Sequence, residues 1–288
     1  MDRRLQLALV LLVPVAVLLA MIAVDFGIGG PGRGRDYVLR VELPPAGGRI
    51  GLPKVQGPPD ASRPLVVLDP GHGGHDPGAG TGDLKEKMLT LQLAEALRDA
   101  LLENGGIRVA LTRDDDRYLM LAERSSIARR LKADLFLSIH ADSVDNDGAR
   151  GASVYTLSER GTNEVAARMA ARENGADEVN GVRLSMTSDT VGNILLDLSQ
   201  RETQINSEQF ARLILREIGG RMRLHDPDVQ SAAFAVLKSP DLPSVLFESG
   251  YISNPDDAAF LSSDKGREIF AQVLAQAIRV YFARRTGV

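Results

Sequence analysis

The sequence predicts an α/β fold, with a single mixed, mostly parallel sheet flanked by helices. From Leu65 onward, short β-branched or apolar runs alternate with segments of helical periodicity, which is the pattern of a βαβ series. The hydrophobic fraction of 44% and the charged fraction of 25% are ordinary for a globular protein. We therefore expect one α/β domain over residues 65–288.

Six short runs are predicted strands, and the longer periodic segments are predicted helices. The strands are expected at 65–69, 107–111, 135–139, 152–157, 234–237 and 244–249. The helices are expected near 85–104, 119–132, 162–172, 206–220 and 265–284. In the first of them Met88, Leu91, Ala94, Leu97 and Leu101 share one stripe, and Gly105-Gly106 ends the helix.

The N-terminus has the pattern of an export or anchoring signal. Arg3 and Arg4 precede an uninterrupted apolar run from Ala8 to Val24. The length of this run fits both a cleaved signal peptide and a single membrane anchor. The paired arginines predict that the rest of the chain crosses the membrane, so we expect a periplasmic protein, either secreted or anchored by residues 5–24. Residues 1–28 form this segment, and the Gly- and Pro-rich residues 29–64 are a predicted linker.

The composition excludes several classes of function. The net charge of -4 gives no basic surface for nucleic acid, so no nucleic-acid partner is expected. There is no cysteine, which excludes disulfides, thiolate metal sites and cysteine nucleophiles. Any metal site in this chain must therefore use histidine and carboxylate ligands.

Titratable residues follow three predicted strands. His72 follows the first strand, His140 the third and Glu248 ends the last. Ligands of open α/β sheets bind beyond the carboxyl ends of the strands, so these side chains are expected near one another. Glu248 could serve there as a proton-transfer carboxylate, or it could pair with an arginine such as Arg113.

Glu86 is the fourth candidate, and its position allows two roles. It stands three residues after Asp83 at the start of the first helix, where the two could form a capping box. It also follows the His72 loop and could reach the same metal. His72, Glu86 and His140 would then be the two histidines and one glutamate common at catalytic zinc sites, although such a set accepts several divalent ions.

The remaining histidines carry weaker signals. His75 lies in the same Gly-rich turn as His72 and is expected to be a solvated loop residue. His225 either bonds the last carbonyls of the 206–220 helix or contacts substrate. Arg113 points to the active end of the sheet and is a second possible substrate contact.

Five motifs in order resemble the zinc-dependent N-acetylmuramoyl-L-alanine amidases, which cleave peptidoglycan during bacterial cell division. They are LDPGHGGHDPGA, LKEK, LTRDDD, FLSIHAD and AFAVLKSPDLPSVLFESGYISNP. The resemblance implies zinc bound by His72, Glu86 and His140, with Glu248 as the catalytic carboxylate. The implied reaction is hydrolysis of the amide between N-acetylmuramic acid and L-alanine of the stem peptide, in daughter-cell separation.

Residues 173–205 form a long connection between two predicted helices, and such connections are usually functional or disordered. One interpretation is a short amphipathic helix, over Val191 to Leu198, that packs on the domain surface. The segment also resembles an insert of the cell-division amidases, in which a helix covers the zinc until an activator with a LytM-type domain displaces it. That resemblance implies autoinhibition, with Glu173 or Glu178 occupying the open metal position.

Two other functions stay open at this point. Another zinc hydrolase of wall material, such as a carbohydrate deacetylase or a peptidase, would use the same residues. A catalytically silent wall-binding protein would need none of them for chemistry.

Overall fold

The computed structural model of the chain describes residues 17, 51–80, 84–143, 149–179, 182–183 and 195–285. The predicted signal or anchor segment therefore lies outside the described residues, apart from Val17, and so does most of the predicted linker. Within the described part, no helix has both the length and the apolar character needed to span a bilayer.

A six-stranded sheet forms the centre of the domain, as the sequence predicts. Its strands are β1 (Leu65–Pro70), β2 (Arg108–Leu111), β3 (Leu135–His140), β4 (Ser153–Leu157), β7 (Gln230–Ala232) and β8 (Ser244–Glu248). Their spatial order is β2-β1-β3-β8-β4-β7, and β4 runs antiparallel to β8 while the other pairs are parallel. A separate two-stranded antiparallel sheet pairs β5 (Glu178–Val179) with β6 (Val182–Arg183).

Within the described part of the domain, six α-helices flank the sheet. They are α1 (Glu86–Glu103), α2 (Leu121–Arg130), α3 (Glu164–Glu173), α4 (Leu195–Ile218), α5 (Pro255–Ser262) and α6 (Asp264–Arg285). Apolar residues of α1, α4 and α6 pack with Val66 and Leu68 on one face of the sheet. Residues of α2 and α3 pack with Val67 and Phe136 on the other face. Alternate residues of β1 thus enter opposite cores, as the period of a strand requires when both faces are covered.

The strand order places the site. From β1 the chain crosses through α1 to β2 on one side, and then through α2 to β3 on the other side of β1. The crevice between the carboxyl ends of β1 and β3 is therefore a topological switch point, where open α/β sheets bind ligands. His140 ends β3 and is in register with Glu248 on the adjacent strand.

The structure corrects three predicted elements. Residues 235–237 form a 3-10 helix, and the strand lies earlier, at Gln230–Ala232, because it is that segment that finds a partner in β4. The predicted 206–220 helix begins at Leu195, so the two predicted helices at 191–198 and 206–220 are one continuous helix where they are described. The short α5, which the apolar pattern did not signal, begins at Pro255 with its N-terminus capped by Asn254.

The last part of the predicted linker also belongs to the domain. Gln56 exchanges two backbone hydrogen bonds with Val109 of β2, at 2.8 and 2.9 Å. This bridge covers part of the free edge of β2, and it places the start of the ordered domain before Leu65.

Candidate functional site

The loop that follows β1 carries the first candidate ligand. His72 has a φ of 59°, in the left-handed region that residues other than glycine rarely adopt. Two backbone hydrogen bonds between Gly73 and Asp76 close the loop beside it. A β-carbon at Gly78 would lie 2.6 Å from His72 Cδ2 and 2.7 Å from Glu86 Oε2. Only glycine at position 78 lets the loop fold back onto the side chains of the site.

A buried arginine of α2 holds the backbone of this loop. Arg124 donates from Nη1 to the carbonyl oxygen of Pro70 and from Nη2 to that of His72, each at 2.8 Å. Its charge is paired with Asp69, whose Oδ1 accepts from Nη1 at 3.0 Å. These bonds help to satisfy carbonyl groups that leave the sheet at the end of β1 and are buried in the protein.

Arg113 has the same kind of role, which corrects its prediction as a substrate contact or as a partner of Glu248. It is fully buried, and its Nη2 donates to the carbonyl oxygens of Gly71 and Lys87, each at 2.7 Å. Its Nε donates to the carbonyl oxygen of Pro70 at 3.1 Å. Burial, with the charge of a neighbouring arginine, lowers the pKa of Arg113 to about 10. The guanidinium group therefore supports the loop from inside the protein.

Glu86 lies between the two histidines. Its Oε2 is 3.2 Å from His72 Nε2, and its Oε1 is 3.2 Å from His140 Nδ1. The same two oxygens accept backbone hydrogen bonds at 2.8 Å, Oε2 from Ala79 and Oε1 from Ala141. The carboxylate thus joins the His72 loop to the end of β3.

The capping-box interpretation of Glu86 is wrong. Glu86 is the first residue of α1, and its carboxylate bonds to Ala79 and Ala141 instead of to the N-cap residue, Lys85. Lys85 provides no side-chain cap, and Asp83 lies outside the described residues. The position of Glu86 leaves its carboxylate within reach of both imidazoles.

Glu173, at the end of α3, reaches the same two imidazoles. Its Oε2 lies 3.1 Å from His140 Nδ1 and 3.4 Å from His72 Nε2, and its side chain is 6% exposed. Burial alone would raise the pKa of Glu173, but the two histidines outweigh it and lower that pKa to about 2. Burial acts against a charge on His140, but Glu173 and Glu86 raise the pKa of His140 to about 10.

This donor set fits a divalent cation. Ligand atoms of His72, His140 and Glu173 all lie within 4.8 Å of one another, and Glu86 contacts the same two nitrogen atoms. His72 Nε2 is buried without a hydrogen-bond partner among the described residues. A buried polar atom left unpaired beside carboxylates and a second imidazole is what a nitrogen- and oxygen-binding metal would use.

Glu248 lies beside this cluster and is fully buried. Its Oε2 accepts from the backbone nitrogen of Asp142 at 3.2 Å, and its Oε1 has no hydrogen-bond partner in the described part of the chain. Burial, with the negative charge of Asp142, raises the pKa of Glu248 well above its usual value. Burial also raises the pKa of Asp142 to about 7, although Arg172 forms an ion pair with it. A carboxyl group with a raised pKa suits proton transfer near neutral pH.

A cavity of about 360 Å³ opens at the cluster and is lined by residues from the His72 loop, the end of β3 and α3; among them are His72, Asp76, Glu86, Asp142 and Glu173. A larger cavity of about 730 Å³ lies beside Leu157 and Ser244, at the amino end of β8. The lining residues described for that cavity include no histidine. The smaller cavity is therefore the one that the candidate ligands line.

The other candidates lie at different places. His75 is half-buried and its ring lies 4.1 Å from the ring of Tyr118, so the prediction of a solvated residue is corrected. His225 is exposed, and its ring lies 5.0 Å from that of Tyr251. The backbone of Glu178 lies in β5.

Sequence reasoning missed the partners of the ligands. Asp76, Arg124 and Arg172 each bond to a residue of the site or its loop. Only Asp76 carried a local signal, since it stands four residues after His72 in the same glycine-rich turn.

Comparison with known proteins gives a consistent family. Residues 66–280 match the Amidase_3 family, described as N-acetylmuramoyl-L-alanine amidase. The N-acetylmuramoyl-L-alanine amidase AmiA of Salmonella typhimurium is 43% identical over 223 residues, which cover 77% of this chain and 77% of that protein. AmiA of Escherichia coli is 42% identical over 220 residues, which cover 76% of each. The solved structure of the amidase AmiC2 of Nostoc punctiforme is 29% identical, with a TM-score of 0.54, over 77% of this chain and 98% of that one.

The buried pair of Arg124 and Asp69 should matter far more for stability than an exposed pair on the same helix. Arg124→Met leaves Asp69 buried without its cation and removes one donor each from the carbonyl groups of Pro70 and His72, and should lower the free energy of unfolding by about 3–5 kcal/mol. Arg129→Met removes an exposed ion pair with Asp241 and should cost about 0–1 kcal/mol. Chemical denaturation of both variants measures this, and equal losses would contradict the assigned role of Arg124.

Proposed function

The chain belongs to the N-acetylmuramoyl-L-alanine amidase family, and on that basis we propose that it is a zinc-dependent hydrolase of peptidoglycan acting in daughter-cell separation. It hydrolyses the amide bond between N-acetylmuramic acid and L-alanine of the stem peptide. The observation that carries the proposal is the buried cluster of His72, Glu86 and His140 beside Glu248, at the carboxyl ends of adjacent strands.

In this proposal His72, Glu86 and His140 hold the metal. The carboxylate oxygens of Glu86 lie 3.2 Å from His72 Nε2 and from His140 Nδ1, which supports this assignment. The lack of a hydrogen-bond partner for His72 Nε2 among the described residues supports it as well. When bound, the ion supplies Lewis acidity toward the substrate carbonyl and eases the deprotonation of a water molecule. The backbone donors of Ala79 and Ala141 fix the carboxylate of Glu86, so the ligand set needs little rearrangement.

Glu248 is the proposed acid and base. Its carboxylate accepts a proton from the attacking water, whose oxygen forms the new bond to the carbonyl carbon. The same group then delivers the proton to the nitrogen of L-alanine as the carbon–nitrogen bond breaks. The products are the lactyl carboxyl group on the glycan and a stem peptide with a free amine. The raised pKa of Glu248 means that its carboxylate, once ionised, is a stronger proton acceptor for the first half of this transfer.

We further propose that Glu173 blocks the site in the resting protein. Its carboxylate lies against both imidazoles, in the position that water and substrate would need. Arg172, the residue before Glu173, supports the block because it pairs with Asp142, which lies beside Glu248. The end of α3 therefore places two consecutive side chains against residues of the site.

The backbone around Glu173 is held on both sides. Asn174 Nδ2 donates to the carbonyl oxygen of Ala233 at 2.8 Å, and its Oδ1 accepts from Ala235 at 2.7 Å. Asp177 accepts from the Tyr118 hydroxyl at 2.8 Å and from the first backbone nitrogen of α2 at 3.0 Å. A carboxylate at a helix N-terminus is favourable, so this anchor stabilises the blocked arrangement. Activation then requires that these contacts break.

Binding of a protein partner is the proposed cause of this change. We infer an activator with a LytM-type domain that displaces the segment from Glu173 onward, within the insert 173–205. The proposed substrate, peptidoglycan, and the apolar N-terminal segment support a location of the reaction on the periplasmic side of the membrane.

Replacing the proposed acid and base should abolish hydrolysis without removing the metal. Glu248→Gln should lower the rate of stem-peptide release from purified sacculi by about 100- to 10,000-fold, because the amide cannot accept the proton. Mass spectrometry of the products reads the bond cleaved, since an amidase frees intact stem peptides and a deacetylase leaves them attached. Metal content of the variant is the control. Sacculus digestion at the wild-type rate would contradict the role of Glu248.

The two candidate blocking residues can be separated by matched substitutions. Glu173→Gln should raise the basal rate of sacculus digestion by about 5- to 150-fold, the usual range of a coupling free energy between two states. Glu178→Gln should leave it unchanged. A rise only in Glu178→Gln would move the block to that residue, and no rise in either would contradict a carboxylate block.

Metal binding should release protons. Because the pKa of His140 is about 10 when carboxylates surround it without a metal, His140 is protonated at pH 7 and must lose that proton to bind the ion. Calorimetric titration of chelator-treated protein with Zn²⁺ in two buffers of different ionisation enthalpy measures the release. The number of protons should fall as the pH rises toward 10, and it should be smaller in Glu173→Gln. A release that does not change with pH would contradict this assignment.

A further inference from the structure

Asp76 lies directly behind the first candidate ligand. Its Oδ2 is 2.8 Å from His72 Nδ1, and the side chains of Asp76 and His72 are 15% and 7% exposed. Its second oxygen, Oδ1, accepts from the backbone nitrogen of Gly78 at 3.1 Å. Two backbone hydrogen bonds with Gly73 fix the position of Asp76 itself. Both carboxylate oxygens are therefore engaged inside the loop that carries His72.

This contact determines which nitrogen of His72 is free. A neutral imidazole has one N–H donor and one acceptor nitrogen, and a carboxylate can only accept. Nδ1 must therefore carry the proton, which leaves the lone pair on Nε2. It is Nε2 that lies 3.2 Å from Glu86 and 3.4 Å from Glu173, without a hydrogen-bond partner among the described residues.

We propose that Asp76 is a positioning residue that holds His72 in the Nδ1–H tautomer and aims its Nε2 at the metal. The inference rests on the proposed metal site. Carboxylates and carbonyls that accept from the second nitrogen of a metal-binding histidine orient the ring and raise its basicity, and their loss usually weakens metal binding. Aspartate fits this place because its short side chain can reach His72, four residues earlier, within the closed turn.

The two histidines should therefore use different nitrogens. His140 presents Nδ1 to Glu86 and Glu173, at 3.2 and 3.1 Å, whereas His72 presents Nε2. A β-carbon at Gly71 would lie 2.5 Å from His140 Cε1, so the ring of His140 is packed directly against the loop backbone. His140 is thus oriented by packing. His72, whose own backbone lies in the left-handed region, is oriented by a carboxylate.

The test is Zn²⁺ affinity, measured by competition with a chromogenic chelator. Asp76→Ala should bind Zn²⁺ about 10- to 100-fold more weakly than wild type. Asp76→Asn keeps the size of the side chain and an acceptor oxygen, and should recover part of that loss. Asp116→Ala is the matched control, because Asp116 accepts from Gly74 of the same loop at 2.9 Å without touching His72, and its affinity should equal that of wild type.

A spectroscopic readout separates orientation from loop stability. In the zinc-loaded wild type, ¹⁵N-resolved NMR of the histidine rings should show the proton of His72 on Nδ1 and that of His140 on Nε2. Asp76→Ala should lose the protected Nδ1 proton signal of His72. If Asp76→Ala does not fold, Asp76→Asn decides by the same two measurements.

The outcomes distinguish this inference from the proposed function. Wild-type protein that binds no Zn²⁺ would overturn the metal site and this inference with it. Tight wild-type binding with unchanged affinity in Asp76→Ala, or in Asp76→Asn where that variant decides, would overturn the role of Asp76 alone. An equal loss in Asp116→Ala would reduce Asp76 to a support of the loop and would also overturn it.

Discussion

The site depends on how the backbone leaves the sheet at the end of β1. The chain must turn sharply to bring His72 against the end of β3, and the carbonyl groups of Pro70, Gly71 and His72 then point into the protein instead of into the sheet or solvent. The buried guanidinium groups of Arg124 and Arg113 donate hydrogen bonds to these carbonyl oxygens. Their planar donors can satisfy several carbonyls at once, which lysine could not do with the same geometry. The left-handed backbone of His72 is maintained by this surrounding structure.

Most of the candidate site residues could be brought together from the sequence because they lie where strands end. A topological rule places the ends of parallel strands together, so His72, His140 and Glu248 could be associated without coordinates. Glu86 was ambiguous, since the same spacing fits a helix cap and a ligand. The structure excludes the cap, because the carboxylate contacts Ala79 and Ala141, which are 7 and 55 residues away in sequence. No local pattern indicates a partner at such a separation.

The supporting residues show the same limit. Arg124 was one arginine among many on a charged helix, and only the packing of α2 against the loop distinguishes it from the exposed Arg129. Element boundaries failed where a short apolar run was compatible with two structures, as at residues 235–237. The sequence predicts separate helices at 191–198 and 206–220, whereas α4 runs without interruption from Leu195. No capping signal between the two predicted helices marks an end of the helical periodicity.

Charge balance explains why Glu173 can occupy the site and why its departure would matter. Burial acts against a charge on His72 and His140, but the neighbouring carboxylates raise the pKa of both, and the two imidazoles in turn lower the pKa of Glu173. In the proposed resting state, Glu173 adds its negative charge beside those of Glu86 and Asp76. Withdrawal of Glu173 makes the site less negative by one charge. That change favours the negative charge that develops on a carbonyl oxygen during amide hydrolysis. In this proposal, the contact that blocks the resting site is therefore also the one whose loss prepares the site for the reaction.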